Sequence, residues 1–249
     1  MKRYFRAFMM SMTMFCAIPC PFHMWDDESR PLMTMFLPFV GTWIGALWAL
    51  TAYLTGVLGV PVFLSAALLC AFPFAVTGSM HLDGFLDVTD ALRSWRDIEE
   101  RRRILKDPHV GSFAVVDTVL LVLVQFAAFC SFDGGENLLT LVLIPTVSRC
   151  VAAFCVTALP PMSTSEYAGS YRQRVKTSHL VFIAVVLAVA SVLGFVFLGR
   201  YAYAGAATAA GYLVYMLRAY RSLGGMSGDI SGYALTFGEL CGIIAMALL

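Results

Sequence analysis

The fold is decided by residues 31–80, which read PLMTMFLPFVGTWIGALWALTAYLTGVLGVPVFLSAALLCAFPFAVTGSM and contain no charged side chain. A membrane-spanning α-helix needs about 20 consecutive, predominantly apolar residues. This stretch is therefore long enough for two membrane crossings, with a turn near Gly59, Val60 and Pro61. Its composition indicates that lipid rather than water surrounds much of the chain.

The rest of the sequence has the same apolar character. Of the 249 residues, 59% are hydrophobic and 13% are charged, whereas soluble domains carry about 25% charged residues. We predict an all-α, polytopic integral membrane protein that forms a single domain over residues 1–249. The net charge of +1 gives no indication of nucleic acid binding. The seven predicted spans are residues 34–55, 61–80, 110–132, 138–159, 178–199, 201–217 and 233–249.

The lysines and arginines predict which ends of the spans face the cytoplasm, because short cytoplasmic loops are enriched in these residues. Four segments hold 15 of the 17 basic residues. Pairs of predicted spans separate them, so all four can lie on the cytoplasmic side of a bacterial inner membrane. The four segments are residues 1–33, 81–109, 160–177 and 218–232.

This orientation constrains the N-terminal segment, residues 7–23. Both of its flanks are assigned to the cytoplasm, so a single crossing would place one flank on the wrong side. Pro19 and Pro21 suit a break in a helix better than a straight span. We predict that the segment forms a re-entrant or interfacial helix.

The most informative polar stretch is HLDGFLDVTD, residues 81–90, which follows the second predicted span. Asp83, Asp87 and Asp90 stand at positions i, i+4 and i+7, on one face of a helix. Three negative charges so close repel each other, and a bound divalent cation would remove that repulsion. Carboxylate oxygens suit Mg²⁺. The pattern therefore predicts a Mg²⁺ site, and its structural alternative is a solvated acidic helix face.

Two neighbours of the aspartates add to this hypothesis. His81 could act as a general base, a metal ligand or a phosphate partner, or it could be an interfacial histidine without a chemical role. Gly84 has no side chain, which would let a ligand approach the backbone. The acidic stretch is thus the predicted centre of the site.

Two loops between helices could hold phosphate. The first runs from Lys106 to Gly111, where a new helix begins and its backbone N–H groups point at a ligand. The second, residues 224–232, has four glycines together with Ser227 and Asp229, so its backbone donors can approach a ligand closely. The structural alternatives are a plain turn for the first loop and a flexible connector for the second.

Three ionisable residues fall within the predicted spans: Asp117, Arg149 and Glu239. A charge at the centre of a bilayer costs about 2.5–3.5 kcal/mol on insertion scales. These side chains should therefore face the protein interior and be paired. Arg149 and Glu239 form a plausible pair, although Arg149 could equally reach a substrate phosphate.

Taken together and in this order, these strings resemble the cobalamin synthase family, adenosylcobinamide-GDP ribazoletransferase. The family's hallmark H-L-D-G-x-x-D-x-x-D matches residues 81–90. Its Gly-Gly-x-x-Gly-Asp loop and the later Gly-Glu-Leu match residues 224–229 and 238–240. Weaker matches are residues 37–41, residues 106–111, and Ser148 with Arg149.

The resemblance implies a Mg²⁺-dependent transferase in the last stage of cobalamin (vitamin B12) assembly. Such an enzyme joins adenosylcobinamide-GDP to α-ribazole or its 5′-phosphate and releases GMP. Asp83, Asp87 and Asp90 would hold one or two Mg²⁺ ions at the diphosphate. Asp229 would complete this metal site or accept the ribose proton, and His81 is the other candidate base. The residues expected to bind substrate are Lys106, Asp107, Gly111, Arg149, Gly225, Ser227 and Gly228.

Other functions stay open at this point. A CDP-alcohol phosphotransferase or a prenyltransferase would also use carboxylates with Mg²⁺ at transmembrane helices. A secondary transporter with an acidic ion site belongs to a different class, but its site would lie near the middle of the bilayer. Besides its substrates and the lipid bilayer, the protein could associate with itself or with other enzymes of the cobalamin pathway.

Overall fold

A computed structural model describes residues 2–19, 25–132, 137–163 and 177–249. These residues form α-helices, two short 3₁₀ helices (Arg30–Phe36 and Gly199–Tyr201), and no β-strand. The predicted all-α fold is therefore confirmed. The α-helices are α1 (Lys2–Phe15), α2 (Leu37–Val57), α3 (Val62–Val76), α4 (Met80–Arg93), α5 (Ile98–Ile104), α6 (Ser112–Ser131), α7 (Thr140–Ala158), α8 (Thr177–Leu198), α9 (Ala202–Leu223) and α10 (Gly228–Leu248).

The described part of the chain contains five helical stretches that are long and apolar enough to cross a membrane, and a sixth if α3 and α4 count as one broken span. A multi-pass membrane protein is thus supported, but the predicted number of seven spans is not confirmed by this count. The five stretches are Arg30–Val57, Ser112–Ser131, Thr140–Ala158, Thr177–Leu223 and Gly228–Leu248.

The stretch Thr177–Leu223 turns back on itself. A Cβ atom at Gly194 in α8 or at Gly205 in α9 would lie 3.0 Å from the same atom, Cδ2 of Leu143. In a straight helix these two glycines would be about 16 Å apart along the axis. The chain reverses at Gly199, whose φ of +55° suits a residue without a Cβ atom. Helices α8 and α9 therefore form a hairpin against α7.

A sharp bend joins α3 to α4. Their axes differ by 89°, and the two residues at the corner, Gly78 and Ser79, have φ values of +61° and +60°. Left-handed backbone at a non-glycine residue is uncommon, so the corner is a specific feature of this chain. The bend turns α4 across the first turns of α10, where it carries residues 81–90.

Helix α10 is the centre of the molecule and packs against α4, α6, α7 and α9. Small residues allow the close approach: a Cβ atom at Gly242 would lie 2.1 Å from Oγ1 of Thr208. Aromatic rings fill the space between α4, α9 and α10, with Phe85 lying 5.2 Å from Phe237 between ring centroids. The core thus fixes the relative positions of α4 and α10.

The N-terminal helix α1 has 14 residues, fewer than a span requires. Its basic residues Lys2, Arg3 and Arg6 are exposed, whereas Ala7 and Met10 are buried against the rest of the protein. This pattern agrees with the prediction of an interfacial or re-entrant helix. Residues 20–23 of the predicted segment lie outside the described residues, as do residues 164–176 of a predicted cytoplasmic loop.

Candidate active site

Asp229 of α10 lies beside α4, because Gly84 of α4 packs against the start of α10. A Cβ atom at Gly84 would lie 2.8 Å from the backbone oxygen of Asp229 and 2.9 Å from its Cα, so only glycine permits this contact. The expectation that Gly84 admits a ligand is corrected here, because the position is filled by the Asp229 backbone. The contact places Asp229 beside α4.

The cluster consists of Asp83 and Asp87 on α4 together with Asp229 on α10. The negative charges of Asp83, Asp229 and Asp90 all act on Asp87, and the charge of Asp83 acts on Asp229. Asp83 is exposed and Asp87 and Asp229 are half-buried. Carboxylates that are close together and partly buried repel each other. This repulsion favours the binding of a cation or of positively charged side chains.

The donor set fits Mg²⁺ by its chemistry, although its side chains are not gathered around one point. Within the described ranges, no group of three or more His, Cys, Asp and Glu side chains is close enough together to hold a metal ion. Mg²⁺ does not need such a group, since it usually binds through one or two carboxylates plus substrate phosphates and water. Asp83, Asp87 and Asp229 can supply those carboxylates.

Asp90 has a different contact from the one expected of a metal ligand. Its Oδ2 accepts a 2.6 Å hydrogen bond from the N–H of Gly111, and its Oδ1 accepts a 3.0 Å bond from the N–H of Ala114. These N–H groups belong to the start of α6, where the backbone has no intrahelical partners. Both oxygens of Asp90 thus cap α6, so the predicted assignment of Asp90 to the metal is not supported.

The same contact corrects the prediction for Gly111. Its N–H was expected to hold substrate phosphate, but this donor is used by Asp90. A Cβ atom at Gly111 would lie 2.6 Å from Oδ1 of Asp90, so glycine is needed for the carboxylate to reach the backbone.

Next to this cap, Arg93 of α4 and Asp117 of α6 form an ion pair of 2.7 Å.

A cavity of about 520 Å³ opens beside Asp83 and Asp229. Helices α1, α2, α4, α7 and α10 and the adjoining loops all contribute to its walls. Most residues expected to form the site line this cavity, and they come from distant parts of the sequence. They are His81, Asp83, Lys106, Arg149, Ser227, Gly228 and Asp229.

Arg149 lines the cavity and is almost completely buried. Its Nη1 donates to Oε1 of Glu239, and the hydroxyl of Ser148 donates to the same oxygen at 2.9 Å. The predicted pairing of Arg149 with Glu239 is therefore confirmed. A guanidinium has five N–H donors, so this pair leaves donors of Arg149 for a ligand.

His81 is the second residue of α4 and lines the cavity. Its backbone is fixed against α10, because a Cβ atom at Gly232 would lie 3.2 Å from the His81 carbonyl oxygen. Its Nδ1 is buried and has no hydrogen-bond partner among the residues that the structure describes. A buried ring nitrogen without a partner is costly, which makes it a candidate for contact with a ligand.

The loop before α10 is ordered by Ser227. Its Oγ accepts a 3.2 Å hydrogen bond from the N–H of Ile230 and donates a 3.4 Å bond to Oδ2 of Asp229. Ser227 is therefore the N-cap of α10 and helps to position the Asp229 carboxylate. Gly228 is the first residue of the helix and is exposed to the cavity.

Besides Gly111, two further residues expected to bind substrate do not line the cavity. Gly225 packs against the segment that follows α7, where a Cβ atom would lie 2.4 Å from Cα of Met162. Asp107 accepts hydrogen bonds from the backbone N–H and Nδ1 of His109 at 2.9 and 2.7 Å. These bonds hold the pKa of the Asp107 carboxyl below its usual value. Neither residue is placed by the structure at the cavity.

The apolar residues that line the cavity were missed by the sequence analysis. They include four methionines, Met14, Met80, Met162 and Met226. Methionine in an apolar chain carries no signal of its own, and Met226 stands at one of the unspecified positions of the Gly-Gly-x-x-Gly-Asp pattern. The contact between residues 160–162 and Met226 depends on tertiary structure and has no local pattern.

Comparison with known proteins identifies the family. The family model described as cobalamin-5-phosphate synthase matches residues 7–247. A protein of Clostridium perfringens named adenosylcobinamide-GDP ribazoletransferase is 35% identical over 100% of both chains. Proteins with the same name are 33% identical in Clostridium botulinum, over 100% of this chain and 99% of the relative, and 35% identical in Pseudomonas fluorescens, over 90% of each.

No solved structure matches the chain. The family match includes all the residues that line the polar part of the cavity, from His81 to Asp229. Together with the full-length relatives, it shows that this chain belongs to the cobalamin-5-phosphate synthase family.

Proposed function

We propose that this protein is an adenosylcobinamide-GDP ribazoletransferase of the last stage of cobalamin synthesis. It transfers the adenosylcobinamide phosphate moiety from adenosylcobinamide-GDP to α-ribazole or its 5′-phosphate and releases GMP. The proposal is carried by one observation: in a member of this family, two carboxylates, a lysine and an arginine line a single cavity. The alternatives of a CDP-alcohol phosphotransferase, a prenyltransferase or a transporter are not favoured by the family match.

The reaction moves one phosphoryl group. A hydroxyl oxygen of the ribose forms a bond to the phosphorus that carries cobinamide, and the bond from this phosphorus to the bridging oxygen breaks. The bridging oxygen leaves with GMP, and the hydroxyl proton passes to a base. Catalysis of this kind depends mainly on positioning and on stabilising charge at the phosphoryl oxygens.

Lys106 and Arg149 supply positive charge to the cavity. Both side chains line the cavity; Lys106 is exposed, and Arg149 is almost completely buried. An arginine whose orientation is fixed by Glu239 and Ser148 can donate hydrogen bonds to phosphate without reorganising. We assign both side chains to the diphosphate of the donor.

Asp83 and Asp229, which line the cavity, would hold Mg²⁺ together with Asp87. Bound there, Mg²⁺ neutralises negative charge on the diphosphate. The carboxylates come from two helices that are fixed by the contact at Gly84. Asp90 is left out of this set because both of its oxygens are engaged by α6.

Two side chains can accept the ribose proton. Nδ1 of His81 is buried without a partner among the described side chains and backbone groups, and a neutral imidazole nitrogen can act as a general base. Asp229 lies on the same cavity and is held by Ser227. Substitution of each by Asn or Gln, followed by the pH dependence of kcat, distinguishes the two.

The site would face the cytoplasm from the inner membrane. The distribution of basic residues assigns to the cytoplasmic side the segments that contain Lys106, the arginines of α5, and Lys2, Arg3 and Arg6. Nucleotide substrates are cytoplasmic, which agrees with this orientation. Association with a second copy or with other enzymes of the pathway stays a prediction.

The test is an assay of GMP release by the purified protein in liposomes. With adenosylcobinamide-GDP, α-ribazole and Mg²⁺ together, GMP and a cobalamin product should form in equal amounts. Omission of α-ribazole or chelation of Mg²⁺ should abolish both products. Stoichiometric GMP release with no corrinoid product, or full activity in excess chelator, would contradict the proposal.

A further inference from the structure

Tyr212 of α9 packs along α10 and forms a hydrogen bond near the start of that helix. A Cβ atom at Gly238 would lie 3.1 Å from both the nitrogen and the Cβ of Tyr212, so the two helices approach closely here. The phenol oxygen lies 3.0 Å from Oγ of Ser231, about two helical turns before Gly238 in α10. Tyr212 is completely buried, so this packing fixes the position of its hydroxyl group.

Ser231 connects this buried hydroxyl group to the cavity. It lines the cavity and is half-buried. In the sequence it stands between two contacts of α10 with α4, where Asp229 lies against Gly84 and Gly232 lies against His81. The pattern Gly-Gly-x-x-Gly-Asp ends at Asp229, so Ser231 has no role in the site as described so far.

The hydrogen bond between the two hydroxyl groups has a preferred direction. Neither group has another hydrogen-bond partner among the residues that the structure describes. If Ser231 donated, the O–H of the buried Tyr212 would have no acceptor, and an unsatisfied buried donor costs about 1–3 kcal/mol. Tyr212 is therefore the donor and Ser231 the acceptor. In this arrangement Ser231 keeps its own proton for a ligand in the cavity.

The donor character of Ser231 matches the other cations and donors of the cavity. Lys106 and Arg149 line the same cavity, and their side chains donate hydrogen bonds but cannot accept them. A phosphoryl group in a diphosphate has only acceptor oxygens, and hydrogen bonds to charged oxygens are the strong ones. Phosphoryl oxygen is therefore the ligand atom that these side chains fit best.

We propose that Ser231 donates a hydrogen bond to a phosphoryl oxygen of the donor substrate, and that Tyr212 is a positioning residue that orients Ser231. This proposal rests on the proposed function, since it adds one contact to the diphosphate of that reaction. A neutral donor that is fixed before the substrate binds stabilises negative charge on the phosphoryl oxygens without reorganising.

The first test removes the hydroxyl group of Ser231. In Ser231→Ala we expect kcat/KM for adenosylcobinamide-GDP to fall about 10- to 100-fold, the effect of losing a hydrogen bond to a charged group. Ser231→Thr keeps a hydroxyl group and should recover part of this loss. Isothermal titration of adenosylcobinamide-GDP without acceptor, and therefore without turnover, should show weaker binding to Ser231→Ala than to the wild type.

Two acceptors distinguish the phosphates of the donor from a phosphate of the acceptor. With α-ribazole, all the phosphoryl groups in the assay belong to adenosylcobinamide-GDP, whereas α-ribazole 5′-phosphate brings one of its own. The loss in Ser231→Ala should be the same with both acceptors. A loss that occurs with α-ribazole 5′-phosphate alone would overturn the assignment of Ser231 to the donor.

A double-mutant cycle tests the role of Tyr212. Tyr212→Phe keeps the ring and should lower kcat/KM about threefold to tenfold, the effect of one neutral hydrogen bond. In the background of Ser231→Ala, the same substitution should change kcat/KM by less than about twofold, because no hydroxyl group is left to orient. Equal losses in both backgrounds would show a merely structural role and overturn the positioning by Tyr212.

Tyr233→Phe is the matched control, because Tyr233 is a buried tyrosine of α10 that does not line the cavity. It should leave kcat/KM unchanged, and thermal unfolding checks the folding of every variant. If Tyr212→Phe does not fold, Ser231→Ala with the two acceptors decides. Wild-type kcat/KM and wild-type binding in folded Ser231→Ala would overturn the proposal. Failure of the proposed function has another signature, the absence of GMP release from wild-type protein.

Discussion

At the scale of single residues, the aspartates of the motif HLDGFLDVTD, residues 81–90, have different contacts. Asp83 lies at the cavity, whereas Asp90 accepts two backbone hydrogen bonds from α6. The spacing of residues 81–90 predicted a shared face correctly, but a shared face does not imply a shared ligand. Spacing could not predict the capping contact, because it depends on where α6 begins in space.

A pair of alanine variants separates these roles. Asp90→Ala should lower the stability of the protein by about 1–2 kcal/mol, because loss of a capping side chain leaves N–H groups of α6 without a partner. Asp83→Ala should leave stability unchanged and abolish turnover. Thermal unfolding in detergent measures the first effect, and GMP release measures the second. Equal melting temperatures for the two variants would contradict the capping role of Asp90.

Gly84 offers a second test at this scale. In Gly84→Ala the new Cβ would lie 2.8 Å from the Asp229 carbonyl oxygen, so α10 must move away from α4. We expect kcat to fall by at least about 100-fold, since displacement of a catalytic group by 1 Å has this order of effect. Gly56→Ala is the matched control, because no atom lies within 4 Å of its Cβ position. Full activity of Gly84→Ala would show that the contact is not needed.

At the scale of helices, the sequence predicted most of the elements from their apolar lengths. Six of the seven predicted spans correspond to α2, α6, α7, α8, α9 and α10. The predicted span 61–80 instead ends at Val76, because left-handed backbone at Gly78 and Ser79 turns the chain by 89°. A glycine followed by a serine does not reliably indicate such a bend. The position of α4 across α10 could therefore not be predicted from the sequence.

The buried pair of Arg149 and Glu239 joins α7 to α10 and can be tested as a unit. Glu239→Gln should destabilise the protein by about 3–5 kcal/mol, since it leaves a buried charge without its partner. The double variant Arg149→Met with Glu239→Leu should recover most of this stability, because it removes both charges. It should remain inactive if Arg149 binds phosphate. Unfolding in detergent and GMP release provide the two measurements, and recovery of activity in the double variant would exclude the substrate role.

At the scale of the whole molecule, the proposed orientation places the cavity opening on the side with most of the basic residues. Lys106, which lines the cavity, and Arg200 at the α8–α9 turn should then lie on opposite sides of the membrane. Single cysteines at these two positions should react with a membrane-impermeant maleimide from opposite faces of sealed vesicles. The unsubstituted protein gives the background from its own cysteines. Labelling of Lys106→Cys from the outer face would reverse the orientation.

The central claim is that carboxylates of α4 and α10 bind a divalent cation together with the donor. Electron paramagnetic resonance of Mn²⁺ in place of Mg²⁺ measures this binding without turnover. With adenosylcobinamide-GDP present, wild-type protein and Asp90→Asn should bind Mn²⁺ with similar affinity, whereas Asp83→Asn and Asp229→Asn should lose at least about tenfold, the usual effect of altering a metal site. Unchanged binding in Asp83→Asn and Asp229→Asn, with a loss in Asp90→Asn, would contradict the account.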